Sequence, residues 1–293
     1  MSQIQHFRHF ACYAAALAAP LIAVPDQAQG DLLVAPTRVI LNNGGNAELV
    51  LSNIGTTEAT YRIGVELRRM TDDGDFDEVT EATANATEQA AAAMIRYAPR
   101  RITLLPGQPQ SVRLSARPAP ELPDGEYRVH MSFRAIPPAL TPEQAQKDAA
   151  AGGLSIRLTP VYGITIPVFV RKGQLQAGAA LANPHLIKSG KDTLLDLTIN
   201  RTGNRSVYGE LIGKGPRGDV LFNMRGVAVY PEVQHRSVRI PLNAEQQAKL
   251  TGGPVKIEYR EMPENGGQLI ADLTTPIRQH AENKHLSDHR VTS

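Results

Sequence analysis

From Leu32 onward, hydrophobic and polar positions alternate in short runs separated by turn residues. A period of two is the mark of half-buried β-strands. Tyr61, Ile63, Val65 and Leu67 alternate with Arg62, Gly64, Glu66 and Arg68. Tyr127, Val129, Met131, Phe133 and Ala135 alternate with Arg128, His130, Ser132 and Arg134, which reads His130 as a surface residue. Leu32–Leu41 reads as a first strand, with Arg38 on the parity of Leu32, Val34 and Ile40. Ala47, Leu49 and Leu51 mark a second. Asp72-Asp73-Gly74-Asp75 is a hairpin-turn signal. Ile95–Leu105 is strand-like with a break at Pro99. Val112 and Leu114 belong to the strand after the Pro106–Pro109 turn. Thr80–Ala93 carries no apolar stripe and suits either a short helix or a loop.

The longest run is Leu154–Arg171. Leu154, Ile156, Leu158, Tyr162, Ile164, Ile166, Val168 and Val170 share one parity, and so one face of a single strand. At about 18 residues it is roughly three times the usual strand length. Pro160 and Pro167 interrupt its hydrogen-bonding capacity. The polar, Ala/Gln-rich stretch Ala139–Gly153 before it predicts a long flexible loop.

Lys172-Gly173 marks a junction, after which the alternation resumes. Leu195, Leu197 and Ile199 lead, followed by Val207–Leu211, Val220–Met224, Val238–Leu242, Val255–Tyr259 and Leu269–Leu273, with one helical turn at Ala244–Leu250. No long amphipathic helix interrupts either half. The expected fold class is all-β, built from two immunoglobulin-like β-sandwich domains at 31–172 and 173–277. Residues 278–293 are polar and read as a disordered tail.

The first 30 residues read as a targeting segment. His6, Arg8 and His9 precede the apolar run Phe10–Val24, and Ala28-Gln29-Gly30 is a small-x-small cleavage site. A run of about 15 is the size of a signal core and short for a bilayer span. The expectation is a cleaved N-terminal signal peptide and a soluble exported protein. The single cysteine, Cys12, falls inside this segment. Disulfides, catalytic thiols and thiolate metal sites are therefore not expected in the processed chain.

Charge and chemistry narrow the function by exclusion. Lys and Arg total 31 against 29 Asp and Glu, and there is no tryptophan. Near balance and few aromatics argue against a general nucleic-acid binder. There is no GxSxG elbow, HExxH, Walker loop or GxGxxG. His280, His285 and His289 sit in the polar tail, where nothing would order them around a metal. The Asp72–Asp77 aspartates lack the bidentate glutamate of a calcium loop. No enzyme activity, cofactor or metal is expected. Arg38 is the odd residue, because a guanidinium aligned with an apolar face needs a partner, a cleft or an exposed edge.

At this point the chain resembles the PapD-like periplasmic pilus-assembly chaperones. The resemblance spans about Leu32 to Ile277 and is carried by Thr37-Arg38-Val39-Ile40-Leu41, Leu49-Val50-Leu51-Ser52-Asn53, Ile102–Leu114, Glu126–Pro138 and Phe169-Val170-Arg171. It implies two immunoglobulin-like sandwiches in an L-shaped arrangement with an interdomain cleft. It further implies a non-enzymatic periplasmic chaperone that stabilises pilin-like, incomplete-sandwich subunits by donating a β-strand and delivers them to an outer-membrane usher. The donor residues would be Leu154, Ile156 and Leu158, continued by Tyr162 and Ile164. Arg38 matches the arginine that binds the client carboxylate. Pro167 stands near the family's second anchor, a lysine, so that anchor is missing. Glu126 and Arg171 match two members of an interdomain charge cluster, whose acidic third member falls at Glu261 or Glu264. A self-capping dimer is compatible with such a strand. A structural or adhesive component of a surface fibre is the alternative reading.

Overall fold

The computed structural model describes residues 32–137, 142 and 161–279. The backbone is arranged in four sheets around two hydrophobic cores. The first sandwich pairs a four-stranded sheet with a six-stranded one. The four-stranded sheet has the order β1 (Leu32–Ala35), β3 (Gly45–Asn53), β8 (Pro109–Ala116), β6 (Ile95–Ala98). The other runs β2 (Val39–Asn42), β10 (Gly163–Lys172), β9 (Gly125–Ile136), β4 (Ala59–Met70), β5 (Phe76–Val79), with β7 (Arg101–Leu104) also paired to β4. Leu49, Leu51, Leu104, Val112, Met131, Phe133 and Val168 fill the space between the sheets. The fold class is thus all-β, as the alternation implies, and Tyr127 adds an immunoglobulin-like detail. Its hydroxyl donates to the Pro123 carbonyl at 2.8 Å, four residues upstream, in the manner of a tyrosine corner.

The expected single strand Leu32–Leu41 is two strands in different sheets. Pro36 lacks the N–H a ladder needs, and the chain leaves β3 there to join β10 as β2. The switch also changes parity. Leu32 and Val34 are buried before it, Val39 and Leu41 after it. Arg38 therefore lies in the switch, on the outward parity, and does not share an apolar face with Leu32 and Val34. Pro99 makes the equivalent switch from β6 to β7. The Thr80–Ala93 region contains a helix, α1 (Ala86–Met94), capped by reciprocal hydrogen bonds between Asn85 and Glu88.

The second sandwich stacks the sheet β15 (His235–Leu242), β12 (Asp192–Gly203), β11 (Ala177–Ser189), β18 (Arg278–Gln279) on the sheet β14 (Val220–Val229), β13 (Val207–Lys214), β16 (Pro254–Glu261), β17 (Leu269–Pro276). Leu195, Leu197, Ile199, Leu211, Ile257 and Tyr259 form its centre. The one expected helical turn is α2 (Ala244–Thr251), capped by Asn243 and Gln246. Strand β11 has no counterpart in the alternation pattern. A register shift between Ala182 and His185 breaks its period, and Asn183 there takes φ 51°.

Two side chains of the first sandwich belong to the second core, Met70 and Phe169. Phe169 lies on the face of β10 opposite Ile166, Val168 and Val170, and is fully buried. The long strand consequently supplies both cores, one from each face. The β4–β5 hairpin adds a polar clasp to β15. Asp73 pairs with Arg239 at 3.2 Å, Asp72 with His235 at 3.2 Å, and the Ser237 N–H donates to the Asp72 carbonyl at 2.7 Å. Gly74, at φ 86°, closes this turn in the left-handed region that glycine occupies freely.

Candidate functional site

Strand β10 is a central strand along one half and an edge along the other. Its full length, Gly163–Lys172, pairs antiparallel with β9. On its other side β2 pairs in parallel only with Val168–Arg171. From Gly163 to Pro167 that side has no neighbouring strand among the described residues. Such an edge presents unpaired backbone groups that can template another strand. Ile164 packs partly against the first core, while Val161 and Tyr162 are exposed and precede the strand. The sequence places Tyr162 within one continuous strand. The structure starts the strand at Gly163 instead, although the Tyr162 carbonyl still accepts from the Ala135 N–H at 2.9 Å. Leu154, Ile156 and Leu158 lie outside the described residues.

Where β10 becomes central, a cleft of about 520 Å³ opens between the sandwiches. It is lined by Arg38, Ile40 and Arg171 of the first and by Arg205, Tyr208 and Glu261, among others, of the second. Arg38 is half-buried there. Its guanidinium lies 3.9 Å from the Phe169 ring centroid and 4.3 Å from that of Tyr208. Two aromatic faces hold a cation through the ring quadrupoles while leaving the in-plane N–H donors free. Among the described residues Arg38 has no carboxylate partner.

Arg171 is differently placed. It donates to Glu126 at 2.9 Å, and the Glu126 side chain has no exposed surface. The second Glu126 oxygen accepts the Ser206 N–H at 3.1 Å. The Glu126 N–H donates to the Asn204 carbonyl at 3.1 Å. From the other side, buried Arg201 donates to the carbonyls of Gly203 and Arg205 at 2.8 and 3.2 Å. Residues 203–206 are thereby fixed from both sandwiches, and this loop presents Arg205 to the cleft. Arg205 was not singled out by sequence, because a turn arginine carries no periodicity signal. Among the described residues the one polar contact of its side chain is a 3.5 Å bond to the Ser206 carbonyl. The cleft therefore holds two guanidiniums, Arg38 and Arg205, without acidic partners among the described residues.

The remaining residues of the expected charge cluster separate. Glu261 lines the cleft. Glu264 pairs with Arg225 at 3.3 Å and forms no ion pair with Arg171. Lys172 turns away, donating to the carbonyls of Leu122 and Pro120 at 2.6 and 3.2 Å. Pro167 sits in β10 opposite His130, so no lysine replaces it.

His130 is a correction to the sequence reading. It is on the polar parity of β9, yet it is buried, with Phe76 set edge-on to its ring at a centroid distance of 5.6 Å. Burial, together with the positive charges of Arg128 and Arg68, pushes its pKa down to about 3. Arg128 lies 3.2 Å from Nε2, which makes Nε2 the acceptor and places the neutral ring's proton on Nδ1. Arg128 itself lies 4.1 Å from the Tyr230 ring centroid and pairs with Glu232 across the junction. Glu232 also accepts the Met70 N–H at 3.0 Å. Among the described residues no group of three or more His, Cys, Asp or Glu could hold a metal. No helix there is long and apolar enough to cross a membrane.

No family model and no curated protein matches the chain. Several solved structures to which it is similar are of chaperones, among them the class 5 fimbriae chaperone CfaA. The YadV chaperone is 14% identical over 84% of this chain and 100% of its own, with a TM-score of 0.46. The E. coli chaperone DraB is 14% identical over 84% and 96%, with a TM-score of 0.44. A CsuC–CsuE chaperone–tip adhesion subunit pre-assembly complex from Acinetobacter baumannii gives 12% identity over 85% and 99%, with a TM-score of 0.43.

Proposed function

We propose that the chain is a periplasmic chaperone that stabilises pilin-like, incomplete-sandwich subunits by lending them a β-strand and delivers them for assembly at an outer-membrane usher. The observation that carries this reading is the half-open edge of β10. Gly163–Pro167 pairs with β9 and, among the described residues, has no strand on its other side, so a client strand can add there by main-chain hydrogen bonding. Apolar side chains at Leu154, Ile156, Leu158 and Tyr162 would enter the client's groove, while Ile164 stays packed against the first core. The cleft lies at the far end of the same strand, where Arg38 and Arg205 supply charge-assisted donors for a terminal carboxylate. Arg205 takes the part of the missing second cation. The chemistry is binding, and no reaction step is required of any residue.

Co-purification from a periplasmic extract, with the bound partner identified by mass spectrometry, tests the reading. A soluble complex with a sandwich subunit, abolished by replacing Ile156 and Leu158 with Asp, supports it. Recovery of the chain inside purified fibres, or unchanged client capture by the variant, contradicts it.

A further inference from the structure

The outer face of the six-stranded sheet carries a feature that strand donation does not use. Arg101 of β7 pairs in register with Arg62 of β4, and Arg62 pairs on its other side with Arg134 of β9. Gly163 of β10 extends the same row. Neighbouring strands lie about 4.8 Å apart, and like charges directly opposite one another are destabilising. All three arginines are exposed and lie on the outward parity of their strands. Arg134 is partly balanced by Glu66 at 2.6 Å. Among the described residues Arg62 and Arg101 have neither ion pair nor side-chain hydrogen bond. The next row is floored by small residues, Gly64, Ser132 and Thr165, which are partners in the same register. The result is a row of guanidiniums standing beside a low trough.

We infer that this arginine row is a docking surface for an acidic polypeptide segment. Charge complementarity selects the occupant, because an approaching carboxylate relieves the in-register repulsion and finds free donors. An extended chain places same-face side chains about 6.6–6.8 Å apart, a spacing that fanned arginines on adjacent strands can meet. A membrane surface fits less well. The row is narrow, the Glu66 side chain pairs with Arg134 at its side, and the whole chain carries a net charge of only +2. The three arginines lie on the sheet face of β7, β4 and β9, whereas the proposed client site is the edge of β10. A partner can therefore dock while the edge is occupied, and the inference stands or falls independently of strand donation.

The test is fluorescence anisotropy of the purified protein with a labelled Glu-Ser repeat peptide, a Gln-Ser control peptide, and phosphatidylglycerol vesicles in a parallel sedimentation assay. The Glu-Ser peptide should bind, and R62S/R101S should weaken it by about tenfold or more through loss of two charge-assisted donors. Exposed Arg113, on the other sheet, serves as the control, and R113S should leave binding unchanged. Equal binding to R62S/R101S, equal binding of the Gln-Ser peptide, an equal loss with R113S, no binding by the unaltered protein, or binding to vesicles alone would each overturn the inference.

Discussion

The guanidinium of Arg38 lies 3.9 Å from the ring centroid of Phe169, a residue whose strand forms the proposed client edge and whose side chain belongs to the second core. One residue thus connects the strand switch after Pro36, the long strand β10 and the junction between the sandwiches. Arg38→Lys keeps the charge but loses the flat fork against the Phe169 and Tyr208 rings. We expect it to lower stability by about 1 kcal/mol, the scale of one partly desolvated cation–π contact. Arg38→Ala should in addition weaken client capture by about tenfold, as expected for loss of a charged donor. Urea unfolding and a client-binding titration separate the two effects. Full-strength capture by the alanine variant would remove Arg38 from the binding role.

Glu126 is the buried counterpart of Arg171 and the acceptor for the Ser206 N–H. Glu126→Gln leaves the guanidinium without its charge partner in a largely enclosed site. A loss of roughly 3 kcal/mol is expected for breaking such a pair. Hydrogen exchange at Ser206 should rise at the same time, because a single amide oxygen cannot replace the two carboxylate oxygens that accept from Arg171 and the Ser206 N–H. Unaltered exchange at Ser206 would show that the loop is held by Arg201 alone.

His130 should make stability depend on pH in acid. Its folded pKa is about 3 against an ordinary value of 6.5. As pH falls through 6.5 the unfolded chain takes up a proton that the folded ring refuses. The contribution is therefore complete above 6.5 and is lost between 6.5 and 3, with a slope of up to about 1.4 kcal/mol per pH unit. His130→Gln should flatten this window. An imidazole NMR titration that shows His130 protonating near pH 6.5 in the folded protein would contradict it.

Glu258 acts lower on the scale. Hydrogen bonds from Arg260 and Lys214 hold its pKa down to about 2, from an ordinary 4.5. A depressed carboxylate stabilises above its unfolded pKa and loses that contribution as pH falls from about 4.5 to 2. Glu258→Gln should be less stable at pH 7 and should show less loss across that range. Acid titration followed by circular dichroism distinguishes it from His130, whose window begins two units higher.

Alternation made most strands legible, because a core between two sheets forces every second residue inward. What it could not show was where one strand leaves a sheet for the other. Leu32–Leu41 reads as continuous, yet the exchange at Pro36 moves Arg38 from an apolar face to the cleft. Strand β11 was hidden by its own bulge, which changes parity between Ala182 and His185. His130 has the pattern of a surface residue and is buried with Phe76 and Arg128 packed against it. Arg205 was invisible for a similar reason, since a loop residue acquires its place from its neighbours, here Glu126, distant in sequence, and Arg201 near the end of β12. Of the expected site, Arg38, Glu126 and Arg171 converge at the junction and Glu261 lines the cleft, whereas Glu264 pairs elsewhere.

The most direct measurement is amide hydrogen exchange across 161–172 in the free protein and in its client complex. In the free protein Val168–Arg171, held between β9 and β2, should be protected, while the outward-facing amides of Gly163–Ile166 exchange readily. Client binding should protect those outward amides and leave Val168–Arg171 unchanged. A stable complex in which exchange at Gly163–Ile166 is the same as in the free protein would contradict strand donation at this edge.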